Sequence, residues 1–373
     1  MHRTILIEPR DPLIFRDPRP AEAGLPIRTV DWPLPSAIAG AIRTRLGRLT
    51  KFDGPTVERL KLIEHLGPVL AIRKATQWEL AFPAPADALS FAARGGDVEV
   101  RALRPGRLGE PGEGTDLPPG LVPAFGALDQ KPIRGPRFWT ATSTLAWLDG
   151  TRSDAQVLPG PGYLDRQRRI HLEIDPVTLA ASKGRLFATE GLEFSWSGGP
   201  WAGAEAAICS RITDHGTDWA PLEPVAPLGA ERRLAFWSQP DLPWPEAPPS
   251  QSSLRQLRLQ LITPAAFSGG WKPGWLDVRN EGSPPGLPHL HLRLVAAVVP
   301  RAVPHSGWDL SKRGVRAQKR ARFLAPAGSV YFFETQQNVD ARGLWLRSIC
   351  DDDQDQRDGF GLVLCGDWKW LSD

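Results

Sequence analysis

The chain has 373 residues, 41% of them hydrophobic, and contains 38 Pro, 36 Gly and 15 Trp. This length predicts two domains with cores of their own, and the Pro and Gly content favours short elements and long loops over a helical bundle. The formal net charge is only +3, which excludes a histone-like nonspecific binder. Any site for a polyanion must therefore be a local basic patch.

Three cysteines, Cys209, Cys350 and Cys365, are widely spaced in the sequence. An odd number without close metal-like spacing is typical of a reducing compartment, so we expect them to be structural. The first residues lack an apolar signal core, and no run of about 18 apolar residues occurs. We therefore expect a cytoplasmic protein with no membrane partner.

The first predicted elements are a strand at residues 4–7 and a helix that begins near Pro35. Prolines interrupt the loop between them, which carries Arg16 and Arg28. Ser36 is the predicted N-cap of the helix. Its apolar face consists of Ile38, Ile42, Leu46 and Leu49. A basic loop thus meets a helix N-terminus, where free N–H groups and the helix dipole favour an anion.

Further elements are predicted up to residue 150. They are a second helix capped by Thr56 and closed by Gly67-Pro68, a strand at 69–72, a hairpin of 89–91 with 98–101, an irregular insertion at 104–137 and a helix at 138–148.

A long basic hairpin is predicted next, with strands at 166–175 and 185–188. Apolar residues alternate with polar ones in its first strand, so Arg169, His171 and Glu173 share one face. The cations of this hairpin are Arg166, Arg168, Arg169 and His171. Planar guanidinium groups suit phosphate contact and base stacking, which makes these side chains candidate RNA ligands.

The C-terminal half follows a proline-rich stretch at residues 240–249. Strands are predicted at 257–261 and 290–299, with a third strand ending at 333. Trp271 beside Lys272 is the best candidate for base stacking among the tryptophans. Near the end, Gly359 and Gly361 form a glycine-rich loop before a final strand, and this loop is either a phosphate contact or a plain tight turn.

Two groups of potential metal ligands also have simpler explanations. His289 and His291 share a strand face without a third ligand, which favours a solvated strand face over a zinc site. Asp351, Asp352, Asp353 and Asp355 fit no Ca²⁺ loop spacing and are interpreted as a solvated loop. Since no nucleotide fingerprint or metal set appears either, we expect no metal and no cofactor.

Several motifs together resemble one family. They are Ser36-x-x-x-Gly40-x-x-Arg43 preceded by residues 11–17, the hairpin pattern Arg169-x-His171-x-x-Ile174-Asp175, residues 229–233, and the stretches 263–275, 306–309 and 326–333. This combination is similar to the RAMP proteins of CRISPR systems, and most of all to the third subunit of the type III-B Cmr effector complex. The resemblance extends over most of the chain.

The resemblance implies an α+β fold of two ferredoxin-like, RRM-like domains with a projecting β-hairpin and loop insertions. We place the first domain at residues 1–240, with insertions at 80–160 and the hairpin at 163–190. A proline-rich linker at 241–252 leads to the second domain at 253–373.

The function that the resemblance implies is a noncatalytic RNA-binding subunit. Such a subunit holds the 5′ tag of CRISPR RNA (crRNA) and joins the large polymerase-like Cmr subunit to a Cmr backbone subunit. Ser36, Gly40 and Arg43 of the first helix, and the two glycines of the C-terminal loop, are its implied RNA contacts. The family often has Lys before the helix glycine, where this chain has Ala39.

Two other functions are weighed against this one. Some RAMP relatives are metal-independent endoribonucleases that process CRISPR RNA, and His171 beside Arg169 would be the natural centre of such chemistry. A second convincing acid or base near them in the sequence is missing. A sugar-binding β-protein is suggested by the tryptophans, but the missing export signal argues against it.

Overall fold

The computed structural model describes residues 2–16, 28–48, 54–73, 75–92, 98–109, 114–126, 129–150, 160–214, 219–307 and 319–371. Predictions for Leu49, the Gly95-Gly96 turn and the stretch around Trp308 lie outside these ranges. Within them the protein has an α+β architecture dominated by antiparallel strands.

The described residues form four α-helices and twenty β-strands. The helices are α1 Pro35–Leu46, α2 Gly54–Lys61, α3 Ala141–Leu148 and α4 Asp353–Asp358. The strands of the first half are β1 His2–Pro9, β2 Glu64–Arg73, β3 Trp78–Pro83, β4 Ala88–Ala92, β5 Val98–Ala102, β6 Arg104–Pro105, β7 Ala124–Phe125, β8 Phe138–Thr140, β9 Asp165–Ile174, β10 Ala181–Glu193, β11 Glu205–Thr213, β12 Val225–Pro227 and β13 Leu234–Ser238. The strands of the second half are β14 Leu254–Leu261, β15 Glu281–Gly282, β16 Leu292–Val298, β17 Val303–His305, β18 Arg322–Leu324, β19 Val330–Val339 and β20 Val363–Gly366.

A seven-stranded antiparallel sheet forms the core of the first half, in the order β12-β13-β1-β11-β2-β3-β8. Side chains alternate across β1, as the pleat of a strand requires. Ile5 and Ile7 lie in the same buried cluster as Ile38 and Ile42 of α1. Leu6 points to the opposite face, where it shares a cluster with residues of the C-terminal half. The sheet is therefore covered on both faces.

A five-stranded antiparallel sheet forms the core of the second half, in the order β15-β16-β19-β14-β20. Its central strands contribute fully buried side chains such as Leu259 and Phe333. Trp275 stacks on Phe333 with ring centroids 5.8 Å apart. Helix α4 precedes the edge strand β20 and contacts α1 and β2 of the first half.

The proline-rich stretch between the sheets has neither helix nor strand from residue 239 to 248. Its Leu242 and Trp244 are nonetheless buried, in a cluster that contains Val69 of β2 and Leu364 of β20. Apolar burial of this kind ties the stretch to both halves.

The predicted first strand, first helix, 89–101 hairpin and long basic hairpin are all present. The predicted second helix is too long, because it ends at Lys61 and β2 already begins at Glu64. Thr56 lies inside α2, and Gly67-Pro68 lies within β2 and does not close a helix. The predicted helix at 138–148 is divided, since Phe138–Thr140 pairs with β3 and Thr140 then caps α3. Pairing along a sheet edge is a tertiary effect that local periodicity does not reveal.

Candidate nucleic-acid interface

An open cleft of about 370 Å³ lies between the first loop, helices α1 and α2, and two segments of the C-terminal half. We call it the α1 cleft. Apolar side chains such as Phe15, Leu34 and Leu60 line it. The predicted site residues that line it are Arg16, Ser36, Gly40 and Arg43. Folding thus brings the basic loop and the first helix together, as the sequence predicts.

The two described ends of the loop, which carry Arg16 and Arg28, are held together by hydrogen bonds. Phe15 N donates to Thr29 Oγ1 over 3.0 Å, and Val30 N donates to Phe15 O over 2.9 Å. Residue 16 forms a β-bridge with Thr29. Arg16 and Arg28 are both exposed, and neither has a carboxylate partner among the residues described. Of the two, Arg16 lines the α1 cleft.

Helix α1 begins differently from the prediction. Its N-cap is Leu34, which makes no side-chain capping bond, and Pro35 occupies the first turn. Ser36 as N-cap is therefore wrong; Ser36 lies inside the first turn, half-buried in the cleft wall. Gly40 is exposed, and a Cβ built on it would meet no atom within 4 Å. This surface of the helix is open to close approach.

Arg43 has a different environment from the other cations of the cleft. Its side chain is 10% exposed and forms an ion pair with Asp358, whose side chain is 8% exposed. Its Nη2 donates to Ile63 O over 2.7 Å and to Arg357 O over 3.1 Å. Because these partners occupy the guanidinium, the structure gives Arg43 the role of fastening α1 to α4.

A buried histidine extends this contact. His65 Nδ1 donates to Asp358 O over 2.9 Å, so Nε2 is free to accept from the Ser210 hydroxyl at 3.0 Å. Burial lowers the pKa of His65 to about 4, and the charge of Arg43 contributes in the same direction. His65 is neutral near pH 7 and serves as a hydrogen-bonded joint between β2, β11 and α4.

Two basic groups of the cleft come from the C-terminal half and were missed by sequence reasoning. Lys319 is exposed, and its N donates to Gly307 O over 2.8 Å. Among the residues described, its side chain has no carboxylate partner. Beside it, burial and the charges of Arg322 and Lys319 lower the pKa of His305 to about 4. No local pattern marks Lys319, because only the docking of the two halves places it opposite α1.

Gly359 and Gly361, the predicted phosphate contacts, are buried. Both have positive φ, 88° and 67°. A Cβ on Gly359 would lie 2.7 Å from His65 Nδ1, and one on Gly361 would lie 2.6 Å from Cys350 Sγ. The structure thus explains these glycines by close packing in a turn, which is the alternative that the sequence left open.

The acidic cluster near this turn is not a solvated loop, so that interpretation is wrong. Asp351 accepts from Ser268 N over 2.7 Å and from Gly274 N over 2.9 Å. Asp352 caps α4, and Asp355, 6% exposed, accepts two hydrogen bonds from Arg322. Three of these carboxylates are therefore structural.

The predicted basic hairpin is formed by β9 and β10 as a separate two-stranded ribbon. At its base, Arg166 is ion-paired with Asp31 and Glu190. Arg168 and Arg169 are exposed, and Arg169 donates to the Gln167 side chain. Paired carboxylates thus reduce the charge that Arg166 can offer, whereas Arg168 has no carboxylate partner in the described ranges.

The two faces of the hairpin differ in chemistry. His171 stacks on Phe187 with centroids 5.1 Å apart and an interplanar angle of 13°. The ring Nε2 of His171 lies 2.9 Å from Thr189 Oγ1. The opposite face exposes aliphatic side chains, with relative exposures of 67% for Ile170, 50% for Leu172 and 62% for Leu186. Arg169, His171 and Phe187 thus form an aromatic, basic face, whereas the opposite face is aliphatic beyond Arg168. Two such faces are suited to two different ligands.

Trp271 and Lys272 lie elsewhere. Trp271 is 37% exposed and lines a second cleft of about 740 Å³, formed by Leu103, residues 115–117 and 121–124, and segments of the C-terminal half. Lys272 Nζ donates to Asp277 O over 3.0 Å and to Asn280 Oδ1 over 3.1 Å. No described residue lines both this cleft and the α1 cleft.

The other candidate ligands of the sequence have ordinary environments. His291 lies 3.7 Å from Glu281, and both it and His289 are exposed. Among the residues described, no three His, Cys, Asp or Glu side chains are grouped as metal ligands would be. The three cysteines are buried and unpaired, and burial raises the pKa of the Cys350 thiol to about 12. No helix of the described ranges is long and apolar enough to span a membrane.

A family model described as "CRISPR-associated protein (Cas_Cmr3)" matches residues 5–368. The chain belongs to this Cmr3 family. The family resemblance seen in the sequence is thereby confirmed. Comparison with curated proteins gives no match.

Two solved structures are similar in fold to this Cmr3 family member. They are described as the type III-B Cmr-beta complex bound to cognate target RNA, in one case also with AMPPnP in state 1. In each, 14% of residues are identical, the alignment covers 88% of this chain and 86% of the other, and the TM-score is 0.46.

Proposed function

We propose that this protein is an RNA-binding subunit of a type III-B Cmr effector complex, and that the α1 cleft holds the 5′ tag of crRNA. The observation that carries the proposal is that Arg16 and Lys319 line one cleft beside an open helix face, without carboxylate partners among the residues described. Family membership supplies the context of CRISPR RNA.

The cleft has the composition that single-stranded RNA requires. Cations at the rim neutralise phosphates, while apolar walls such as Phe15 and Leu34 accept bases. The bare surface at Gly40 lets the backbone of the RNA approach the helix closely. Ser36, within the first turn, adds a hydroxyl that can contact a phosphate oxygen.

The hairpin continues this path and also contacts protein. Its Arg169, His171 and Phe187 face provides cations and a stacked ring pair for RNA. Its aliphatic face, with Ile170 and Leu172, is suited to the apolar surface of a neighbouring subunit. We assign the hairpin to the junction between the large polymerase-like Cmr subunit and a Cmr backbone subunit.

The proposed role is noncatalytic, and an endoribonuclease remains the rival. Of the residues described, only Thr189 is within hydrogen-bond reach of the His171 ring, and a hydroxyl cannot replace the second acid or base of a nuclease. Incubation of the full chain with repeat-containing RNA in EDTA distinguishes the two. Specific cleavage that is lost in His171→Ala would establish the nuclease instead.

We also propose that both sheets are ferredoxin-like and that the halves correspond to domains 1–240 and 253–373. The support is strand order. Four neighbouring strands of each sheet are compared, β13-β1-β11-β2 in the first half and β20-β14-β19-β16 in the second. When the four are numbered by their order in the chain, their order across the sheet is 4-1-3-2 in both halves. Limited proteolysis tests the boundary, and cleavage confined to residues 104–137 would contradict it.

Salt dependence of RNA binding tests the central proposal. Arg16→Gln, Lys319→Gln and Arg169→Gln should each lower the log–log salt slope by about 0.7, because each removes one phosphate contact. Arg255→Gln is the matched control, since Arg255 is exposed and lines neither cleft. Unchanged slopes in all three variants, measured by fluorescence anisotropy in the assembled complex, would refute the binding site.

Copurification provides an independent test. RNA isolated with the complex from the native host should consist of short species that share one constant 5′ end. A random population would contradict the assignment to the crRNA tag. Trp271→Ala adds a further measurement: if Trp271 stacks on a base, affinity falls by roughly 1–3 kcal/mol while the slope stays the same.

A further inference from the structure

A layered cation–aromatic group lies outside the α1 cleft, at the foot of the hairpin. Arg134 Cζ lies 3.9 Å from the centroid of the Tyr163 ring, and Arg137 Cζ lies 5.5 Å from the same centroid. Arg134 is exposed, and Tyr163 is 38% exposed. We call these three side chains the Arg134 stack.

The backbone under this stack is fixed. Ile133 N donates to Ser90 O over 2.8 Å, and Arg137 N donates to Pro161 O over 2.9 Å. In the segment that carries Tyr163, Gly162 O accepts a hydrogen bond from Trp196 Nε1 over 3.4 Å. Because the guanidinium of Arg134 rests on an anchored ring, little further conformational entropy is lost when it binds a ligand.

The cations of this region have no acidic partner among the residues described. Lys131, Arg134 and Arg137 form no ion pair there, and Arg137 Nε is buried without a hydrogen-bond partner. Two guanidinium groups near one ring concentrate positive charge locally, although the whole chain carries only +3.

The stack is connected to the α1 cleft through one aromatic contact. Phe138 N donates to Pro161 O over 3.0 Å, and its ring lies 5.4 Å from that of Trp32. Trp32 belongs to the segment that continues into Leu34 of the cleft wall.

We propose that the Arg134 stack is a second contact for single-stranded RNA, in which one nucleobase stacks on the outer guanidinium face and Lys131 and Arg137 neutralise flanking phosphates. This proposal rests on the RNA-binding function proposed above. A flat guanidinium supported by a ring offers a base a stacking surface. An acidic peptide needs only the N–H edges of the guanidinium, so it gains nothing from that surface.

The test compares charge with shape in the full-length chain. Binding of fluorescein-labelled single-stranded oligouridine and oligoadenine is measured by anisotropy over a series of KCl concentrations. Arg134→Lys keeps the positive charge and removes the planar guanidinium group. We therefore expect the Kd for RNA to rise about fivefold, while its log–log dependence on salt concentration stays the same. Lys131→Gln removes a proposed phosphate contact and should lower the slope by about 0.7.

Two variants at Tyr163 complete the design. Tyr163→Phe keeps the ring and should bind as the wild type does. Tyr163→Leu removes the ring and should behave as Arg134→Lys, with circular dichroism confirming that it is folded. Photocrosslinking with bromouridine-substituted RNA should modify a peptide that contains residues 131–137.

Several outcomes would overturn the proposal. Wild-type Kd for Arg134→Lys at every salt concentration would show that no base stacks there. Displacement of RNA from the wild type by polyglutamate, together with loss of polyglutamate binding in Arg134→Gln, would assign the surface to an acidic protein. If Arg16→Gln and Lys319→Gln lower the slope while Lys131→Gln leaves the slope unchanged and Arg134→Lys leaves Kd unchanged, only the second contact fails. If the wild type binds no RNA either alone or in the assembled complex, the proposed function fails with it.

Discussion

Replacement of Arg43 by Met should destabilise the protein strongly, because it breaks a buried ion pair between the two halves. Arg43 and Asp358 are 10% and 8% exposed at their side chains, so little solvent screens them. Removal of one member leaves the other charge buried and uncompensated, which typically costs about 3–5 kcal/mol. The hydrogen bonds from Arg43 Nη2 to Ile63 O and Arg357 O are lost as well.

Urea unfolding monitored by tryptophan fluorescence measures this loss. Arg45→Met is the matched control, since Arg45 lies two residues away on α1 and its nearest carboxylate, Glu223 at 3.7 Å, is largely exposed. The control should lose no more than about 1 kcal/mol. A double-mutant cycle with Asp358→Asn isolates the pairwise energy, which we expect at about 1–3 kcal/mol.

The result that would refute this reasoning is a loss in Arg43→Met no larger than that in Arg45→Met. Arg43 would then be free to contact RNA, as the sequence motif suggests. RNA binding by folded Arg43→Met separates the two roles. Binding is measured without urea, at a temperature well below the midpoint of thermal unfolding. A salt slope equal to that of the wild type supports the structural role, and a slope lower by about 0.7 supports direct phosphate contact.

Three further substitutions have defined outcomes. His65 is neutral near pH 7 in the folded state, with a pKa of about 4, so its contribution to the free energy of unfolding is complete above its unfolded pKa of 6.5 and is lost as pH falls towards 4. Between about pH 7 and 5 this loss amounts to about 2 kcal/mol. The free energy of unfolding should therefore depend less on pH in His65→Gln than in the exposed control His289→Gln. Gly40→Ala should raise stability by about 0.5–1 kcal/mol, since a Cβ meets open space on the helix, while weakening RNA binding at the cleft. Gly359→Ala should instead lower stability by more than about 1 kcal/mol, because its φ is 88° and a Cβ would collide with His65. Equal effects of the two glycine substitutions in urea unfolding would contradict this account.

The amino-acid pattern alone specified many of the local elements and identified the family. Period-two alternation fixed the hairpin of β9 and β10, because side chains of a strand must point to opposite faces whatever surrounds them. The apolar spacing of Ile38, Ile42 and Leu46 likewise fixed α1 and its buried face. Motifs spread along the chain identified the family because each of them is a short linear pattern.

Tertiary contacts determine which basic residues are paired with carboxylates. The sequence gives no reason to distinguish Arg43 from Arg16. In the structure Arg43 is paired with Asp358, 315 positions away, whereas Arg16 lines an open cleft. The same docking buries Gly359 against His65 and brings Lys319 to the rim of the α1 cleft. Charge compensation and close packing depend on contacts between residues far apart in the chain, and local periodicity carries no information about such contacts.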